Sequence, residues 1–229
     1  MGKYSIINLY KNTDSVLESV FERITINISL IKQKENIKSF LLCGSEPKVG
    51  TTTIAINLAI SMASAGWKTV LIDGDLRKTT EHKRLTENLE YGLTDYLTGN
   101  LDIIDVIYKT NYNFLNYIPW ISENENPISL LHFKKLDEFS NIIQRAYDYI
   151  LFDFPSMSSS LDSLVMAKKL GTVILITSQY ASRDILRESK TKIEKAGARL
   201  AGVIVNKLDK NDFNNSTKYS DYLIDKRYI

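Results

Sequence analysis

The 229 residues include 29 Lys and Arg against 27 Asp and Glu, a net charge of +2, and 44% are apolar, enough for one domain with a sizeable core. Balanced, interspersed charge gives no electrostatic basis for nucleic-acid binding, and one cysteine, Cys43, excludes a disulfide framework or a Cys-based metal site. No stretch reaches the roughly 18 to 20 apolar residues that span a bilayer, and a signal-peptide pattern is lacking, so a cytoplasmic protein is expected, peripheral to the membrane only through a partner.

Residues 15–32 place Leu17, Val20, Phe21, Ile24, Ile28 and Ile31 on one stripe, and Ser15 with Glu18 has capping-box spacing. That predicts an amphipathic N-terminal helix. Phe40-Leu41-Leu42-Cys43 stops at Gly44, the pattern of a buried strand feeding a loop, with Cys43 as a small buried hydrophobe. Ile54, Leu58, Ile60 and Met62 then predict a helix over 52–65, and Thr69–Asp73 a second strand ending on a carboxylate. Phe114–Ile118, Tyr149–Asp153, Val173–Thr177 and Gly202–Asn206 are further strand candidates, with helical patterns at 129–146, 162–170 and 183–197. Alternating strands and helices imply an α/β fold: a parallel, doubly wound sheet with helices on both faces and ligands beyond the carboxyl ends of its strands. Residues 1–210 are expected to form this domain, followed by a tyrosine-containing tail over 211–229.

The stretch G-S-E-P-K-V-G-T-T-T at 44–53 follows the first apolar strand and opens a helix, the setting of a phosphate-binding P-loop. Gly50 lets the backbone approach a phosphate, and Thr52 occupies the Mg²⁺-hydroxyl position. The expected nucleotide contacts are Ser45, Pro47, Lys48, Val49, Gly50, Thr51, Thr52 and Thr53. Against G-x-x-x-x-G-K-[ST], however, Ser45 stands for the first glycine and Thr51 for the lysine. Such a lysine follows charge onto the β/γ oxygens, an effect of about 3 to 4 kcal/mol in comparable electrostatic stabilisers. Nucleotide binding on backbone amides survives its loss, while phosphoryl transfer should fall roughly two to three orders of magnitude unless Lys48 substitutes.

Asp73-Gly74-Asp75-Leu76-Arg77 delivers two carboxylates and a guanidinium to the ligand end of the sheet, suited to Mg²⁺ and to activation of a nucleophile. Asp153 ends its strand before Pro155, the position of a Walker-B carboxylate. Thr52, Asp75 and Asp153 are thus the candidate metal ligands. Asn206, at the end of the last strand, is placed to read an adenine or guanine edge. His82 and His132 lack partners at metal spacing and read as surface residues.

These residues resemble the bacterial tyrosine kinases of capsule and exopolysaccharide systems, relatives of the Min-type and Par-type deviant P-loop ATPases. The carriers are S-E-P-K-V-G-T-T-T-I-A-I-N-L-A at 45–59, V-L-I-D-G-D-L-R at 70–77, G-L-T-D-Y-L-T-G at 92–99, N-P-I-S-L-L at 126–131, Y-D-Y-I-L-F-D-F-P at 147–155 and A-G-V-I-V-N-K at 201–207. The resemblance implies ATP and Mg²⁺ as cofactors, Asp73 and Asp75 as a second acidic motif, and phosphorylation of Tyr219, Tyr222 and Tyr228. It also implies a homo-oligomeric ring and an activating membrane adaptor protein. Where the family carries a glutamate and two arginines at spacing of three on its N-terminal helix, this chain has Glu18, Phe21 and Ile24.

Three functions follow. One is an ATP-dependent protein-tyrosine kinase acting on its own tail. A second is a catalytically feeble relative that docks a membrane partner according to bound nucleotide. The third is a localisation ATPase like those placing pilus machinery at a cell pole, which also lack the lysine; dimers of that kind use a lysine where this chain has Glu46.

Overall fold

The computed structural model describes residues 6–10, 14–74, 89–120 and 134–209. In chain order the elements are β1 (Ile6–Ile7), α1 (Ser15–Glu35), β2 (Ser39–Gly44), α2 (Thr51–Ser64), β3 (Thr69–Asp73) and α3 (Leu93–Thr98). A 3₁₀ turn (Ile103–Val106) leads to β4 (Tyr108–Thr110), β5 (Leu115–Pro119), α4 (Lys134–Ala146), β6 (Tyr149–Phe154), α5 (Leu161–Leu170), β7 (Thr172–Ser178), α6 (Arg183–Lys195) and β8 (Arg199–Asn206). The strands form one sheet in the order β1-β4-β5-β3-β6-β2-β7-β8, parallel throughout except where β4 meets β5.

Strand side chains alternate between the faces, and both faces are covered, so the central strands are apolar without a break. Phe40, Leu42, Leu71, Tyr149, Leu151, Ile174 and Ile176 pack with Phe21 and Ile28 of α1 and with the buried face of α2. Leu41, Cys43, Val70, Ile72, Ile150, Phe152, Val173 and Leu175 pack on the other side with residues of α3, α4, α5 and α6. Cys43 is buried, as expected of a small hydrophobe.

Helix α1 begins one residue earlier than the capping-box spacing suggests: the Asp14 carboxylate accepts from the Val16 amide at 2.8 Å, which leaves Ser15 inside the first turn. Phe21 is buried beneath α1 and Ile24 is half-buried against the same core. Phe21 and Ile24, which follow Glu18 at a spacing of three, therefore face inward. Four elements escaped the sequence reading, namely β1, α3, the 3₁₀ turn and β4.

Candidate nucleotide-binding site

The loop after β2 is held from β7 and β8. Ser45 donates its amide to the Ile176 carbonyl at 2.8 Å and its hydroxyl to Thr177 Oγ1 at 3.0 Å, and it is fully buried. The Ser178 hydroxyl reaches Glu46 Oε1 at 3.4 Å. Lys207 Nζ donates to the Lys48 carbonyl at 2.7 Å, and Asn206 Nδ2 to the Val49 carbonyl at 2.8 Å. Pro47 and the Lys48 side chain are exposed, whereas Val49 is buried.

Backbone handedness shapes the loop. Lys48 has φ +65° and Gly50 +94°, and Gly50 is the N-cap of α2. The left-handed conformation favours glycine at position 50, and a Cβ there, 2.5 Å from Asn206 Nδ2, would displace that side-chain amide. Gly44 is similarly enclosed: a Cβ would meet the Glu46 carbonyl and Val49 Cγ2 at 2.8 Å and Thr51 Oγ1 at 3.1 Å. The loop curls back over Gly44, with the hydroxyl of Thr51 turned onto it. Thr51 and Thr52 are half-buried in the first turn of α2; Thr53 is exposed, and its carbonyl accepts from Asn57 Nδ2 at 2.8 Å.

The acidic side lies on central strands. Asp73 and Asp153 are register partners at the ends of β3 and β6, only 3% and 2% exposed. Asp153 also pairs in register with Leu42 of β2, the strand that feeds the loop. Two carboxylates thus end adjacent strands beside the P-loop. The Tyr117 hydroxyl, reaching from β5, donates to Asp73 Oδ2 at 2.6 Å. Burial, and then the Asp73 charge, push that phenol well above its ordinary pKa, which keeps it a donor. Burial and the Asp153 charge likewise push up the Cys43 thiol.

Backbone bonds complete the corner: Gly74 donates to the Asp153 carbonyl at 2.8 Å, and Trp120 to the Asp73 carbonyl at 2.9 Å. A Cβ on Gly74 would sit 2.0 Å from the Phe154 ring, which stands edge-on to Trp120.

Of the predicted residues, the structure brings together Ser45 to Thr53, Asp73, Asp153 and Asn206 at the carboxyl edge of the sheet. Asp75, Arg77, Tyr219, Tyr222 and Tyr228 lie outside the described residues, as do His82, His132 and segment 126–131. Among the described residues no group of three His, Cys, Asp or Glu is placed to hold a metal. One threonine hydroxyl and one strand-end carboxylate, with phosphate oxygens and water, fit Mg²⁺, which keeps several waters and takes few protein ligands. Sequence reasoning missed Tyr117 and Lys207; Lys207 had a local signal, following Asn206 at a strand end, and Tyr117 had none without strand register.

A family model described as an AAA domain matches residues 46–201. Tyrosine-protein kinase CpsD of Streptococcus agalactiae is 31% identical over 225 residues, covering 97% of this chain and 95% of that protein. The chain belongs to the CpsD family of bacterial tyrosine-protein kinases. Among solved structures, the chimerical protein CapA2B2 aligns with a TM-score of 0.79 at 26% identity, covering 90% of this chain and 96% of that one. The septum site-determining protein MinD, complexed with Mg-ADP, from Pyrococcus horikoshii shares the fold, with a TM-score of 0.61 at 20% identity over 78% of this chain and 76% of that one. In this CpsD-family chain, segment 92–99 is α3 with its caps Gly92 and Gly99, and Leu93, Tyr96 and Leu97 enter the same core cluster as Trp120. No helix among the described residues is long and apolar enough to cross a membrane.

Proposed function

We propose that this chain binds ATP·Mg²⁺ and acts as a protein-tyrosine kinase on its own tail tyrosines, Tyr219, Tyr222 and Tyr228, in capsule or exopolysaccharide synthesis. The observation that carries the reading is the pairing of buried Asp73 and Asp153 in register beside a loop whose backbone opens helix α2. Loop amides would hold the phosphate chain, and Thr52 with Asp153 would hold Mg²⁺, whose chemistry is to neutralise charge on the phosphate oxygens. Asp73, kept in place by Tyr117, is the described carboxylate placed to orient or deprotonate a phenol; Asp75 and Arg77 follow it in sequence. A membrane adaptor protein would supply activation, as the family resemblance implies.

Thr51 favours a second reading, in which transfer is feeble and bound nucleotide sets the shape that docks the partner. Incubation with Mg·ATP followed by mass spectrometry separates the two. The kinase reading expects phosphate on the tail tyrosines, lost in Asp153→Asn. An unmodified chain in the presence of its adaptor, with ATP binding intact, leaves only the docking role.

A further inference from the structure

The loop that has Thr51 at the lysine position is held by a lysine that directly follows β8. Lys207 Nζ lies 2.7 Å from the Lys48 carbonyl oxygen, and Asn206 Nδ2 lies 2.8 Å from that of Val49. In a trans peptide the C=O and N–H of one unit point in opposite directions. The unit carrying the Lys48 carbonyl ends in the Val49 N–H, and the next ends in the Gly50 N–H. With both carbonyls drawn toward β8, both amides are turned away from it.

Positive φ at Lys48 and at Gly50, with Val49 between them outside the positive-φ set, alternates the backbone's hand. That alternation makes successive N–H groups converge on a concavity that suits an anion. A cation on a carbonyl oxygen also polarises its peptide unit and strengthens the N–H at the far end as a donor. The lysine's own segment is fixed: the Asp209 amide donates to Gln179 Oε1 at 2.8 Å, and the Tyr180 hydroxyl donates to Asp209 Oδ1 at 2.7 Å.

We infer that Asn206 and Lys207 are positioning residues for a bound polyphosphate: Lys207 transmits through peptide unit 48–49 positive charge that Thr51 does not supply, and Asn206 turns unit 49–50 through a neutral hydrogen bond. This rests on the nucleotide-binding reading above and deepens it: the pair serves the phosphate chain of a nucleoside di- or triphosphate, not its base. Asn206, placed by sequence to read a base edge, has its amide nitrogen committed to the loop.

Mg²⁺ with tripolyphosphate, which has neither base nor ribose, provides the decisive probe beside Mg·ATP. Calorimetric titration of the full chain and of Lys207→Met, Lys207→Arg and Asn206→Ala should show Lys207→Met and Asn206→Ala weakening both ligands by roughly tenfold. Lys207→Arg, which keeps the charge, should stay within about threefold of the native chain. Melting of the two Lys207 variants without ligand should not move, since Lys207 is exposed at the strand's end. Variants that lose ATP affinity but hold tripolyphosphate as tightly as the native chain would assign the pair to the base or ribose and overturn the inference. Unchanged affinity for both ligands would overturn it too, leaving the nucleotide reading intact. A native chain that binds neither ligand removes that reading, and the inference with it.

Discussion

The two sides of the candidate site are built by opposite means. Asp73 and Asp153 stand on central strands, buried, with Cα atoms in register and Tyr117 on one carboxylate. The P-loop, by contrast, exposes Pro47 and Lys48 and is held by hydrogen bonds from β7 and β8, made by residues roughly 130 to 160 positions away in sequence. Change on the acidic side therefore disturbs the core, while change at the exposed tip of the loop, Pro47 and Lys48, is confined to ligand affinity and chemistry. A loop secured in this way can lose its lysine without loss of fold, which is why Thr51 is compatible with the structure.

Substitutions on each side can break that contrast. The largest effect is expected for Gly50→Ala, which combines a left-handed backbone with a Cβ 2.5 Å from Asn206 Nδ2. The left-handed penalty of about 1 to 2 kcal/mol is already borne by the ligand-free chain and should lower its melting temperature by roughly 2 to 8 °C, while the displaced Asn206 amide weakens nucleotide binding by roughly tenfold in calorimetry. An unchanged melting temperature would show that the loop gives way without cost.

On the acidic side, Gly74→Ala drives a Cβ into the Phe154 ring. Overpacking of about 2 to 3 kcal/mol should lower the melting temperature by roughly 4 to 12 °C, measurable by calorimetric scan. Tyr117→Phe removes the 2.6 Å bond to a buried carboxylate, a loss of about 1.5 to 2 kcal/mol in urea unfolding. Neutral behaviour in either variant would contradict the view that this side is part of the core.

The smallest effect concerns Cys43, whose thiol is pushed up by burial and by Asp153. Its protonated form is favoured in the folded chain, so its contribution is fully present below the unfolded thiol pKa of about 8.5 and fades as pH rises above it. Between pH 8 and 9.5 the native chain should lose about 1 kcal/mol more stability than Cys43→Ala. Equal losses in both chains would mean that the thiol ionises in place.

The sequence revealed the central sheet because strands covered on both faces read as unbroken apolar runs, each ending near a polar group of the site. β1 and β4 are too short for such a run, and α3 offers barely more than a turn of pattern. The loop's position and its missing lysine were legible as a local motif. Its support was not, because the bonds from Ser178, Asn206 and Lys207 exist only once β7 and β8 lie beside β2 and its loop. The same holds for Tyr117, which meets Asp73 through the pairing of β3 with β5. Asp14 rather than Ser15 caps α1 because a carboxylate one residue earlier reaches the first free amide.

The central claim is that the site keeps its nucleotide and is limited in chemistry by Thr51. It is tested most directly by transfer of labelled phosphate from ATP to the chain's own tyrosines, comparing the native protein with Thr51→Lys in the presence of Mg²⁺. A gain of roughly two to three orders of magnitude in rate is expected, with similar ATP affinity in both. Equal rates in the two chains would contradict the claim and would mean that another group already does what the lysine does elsewhere.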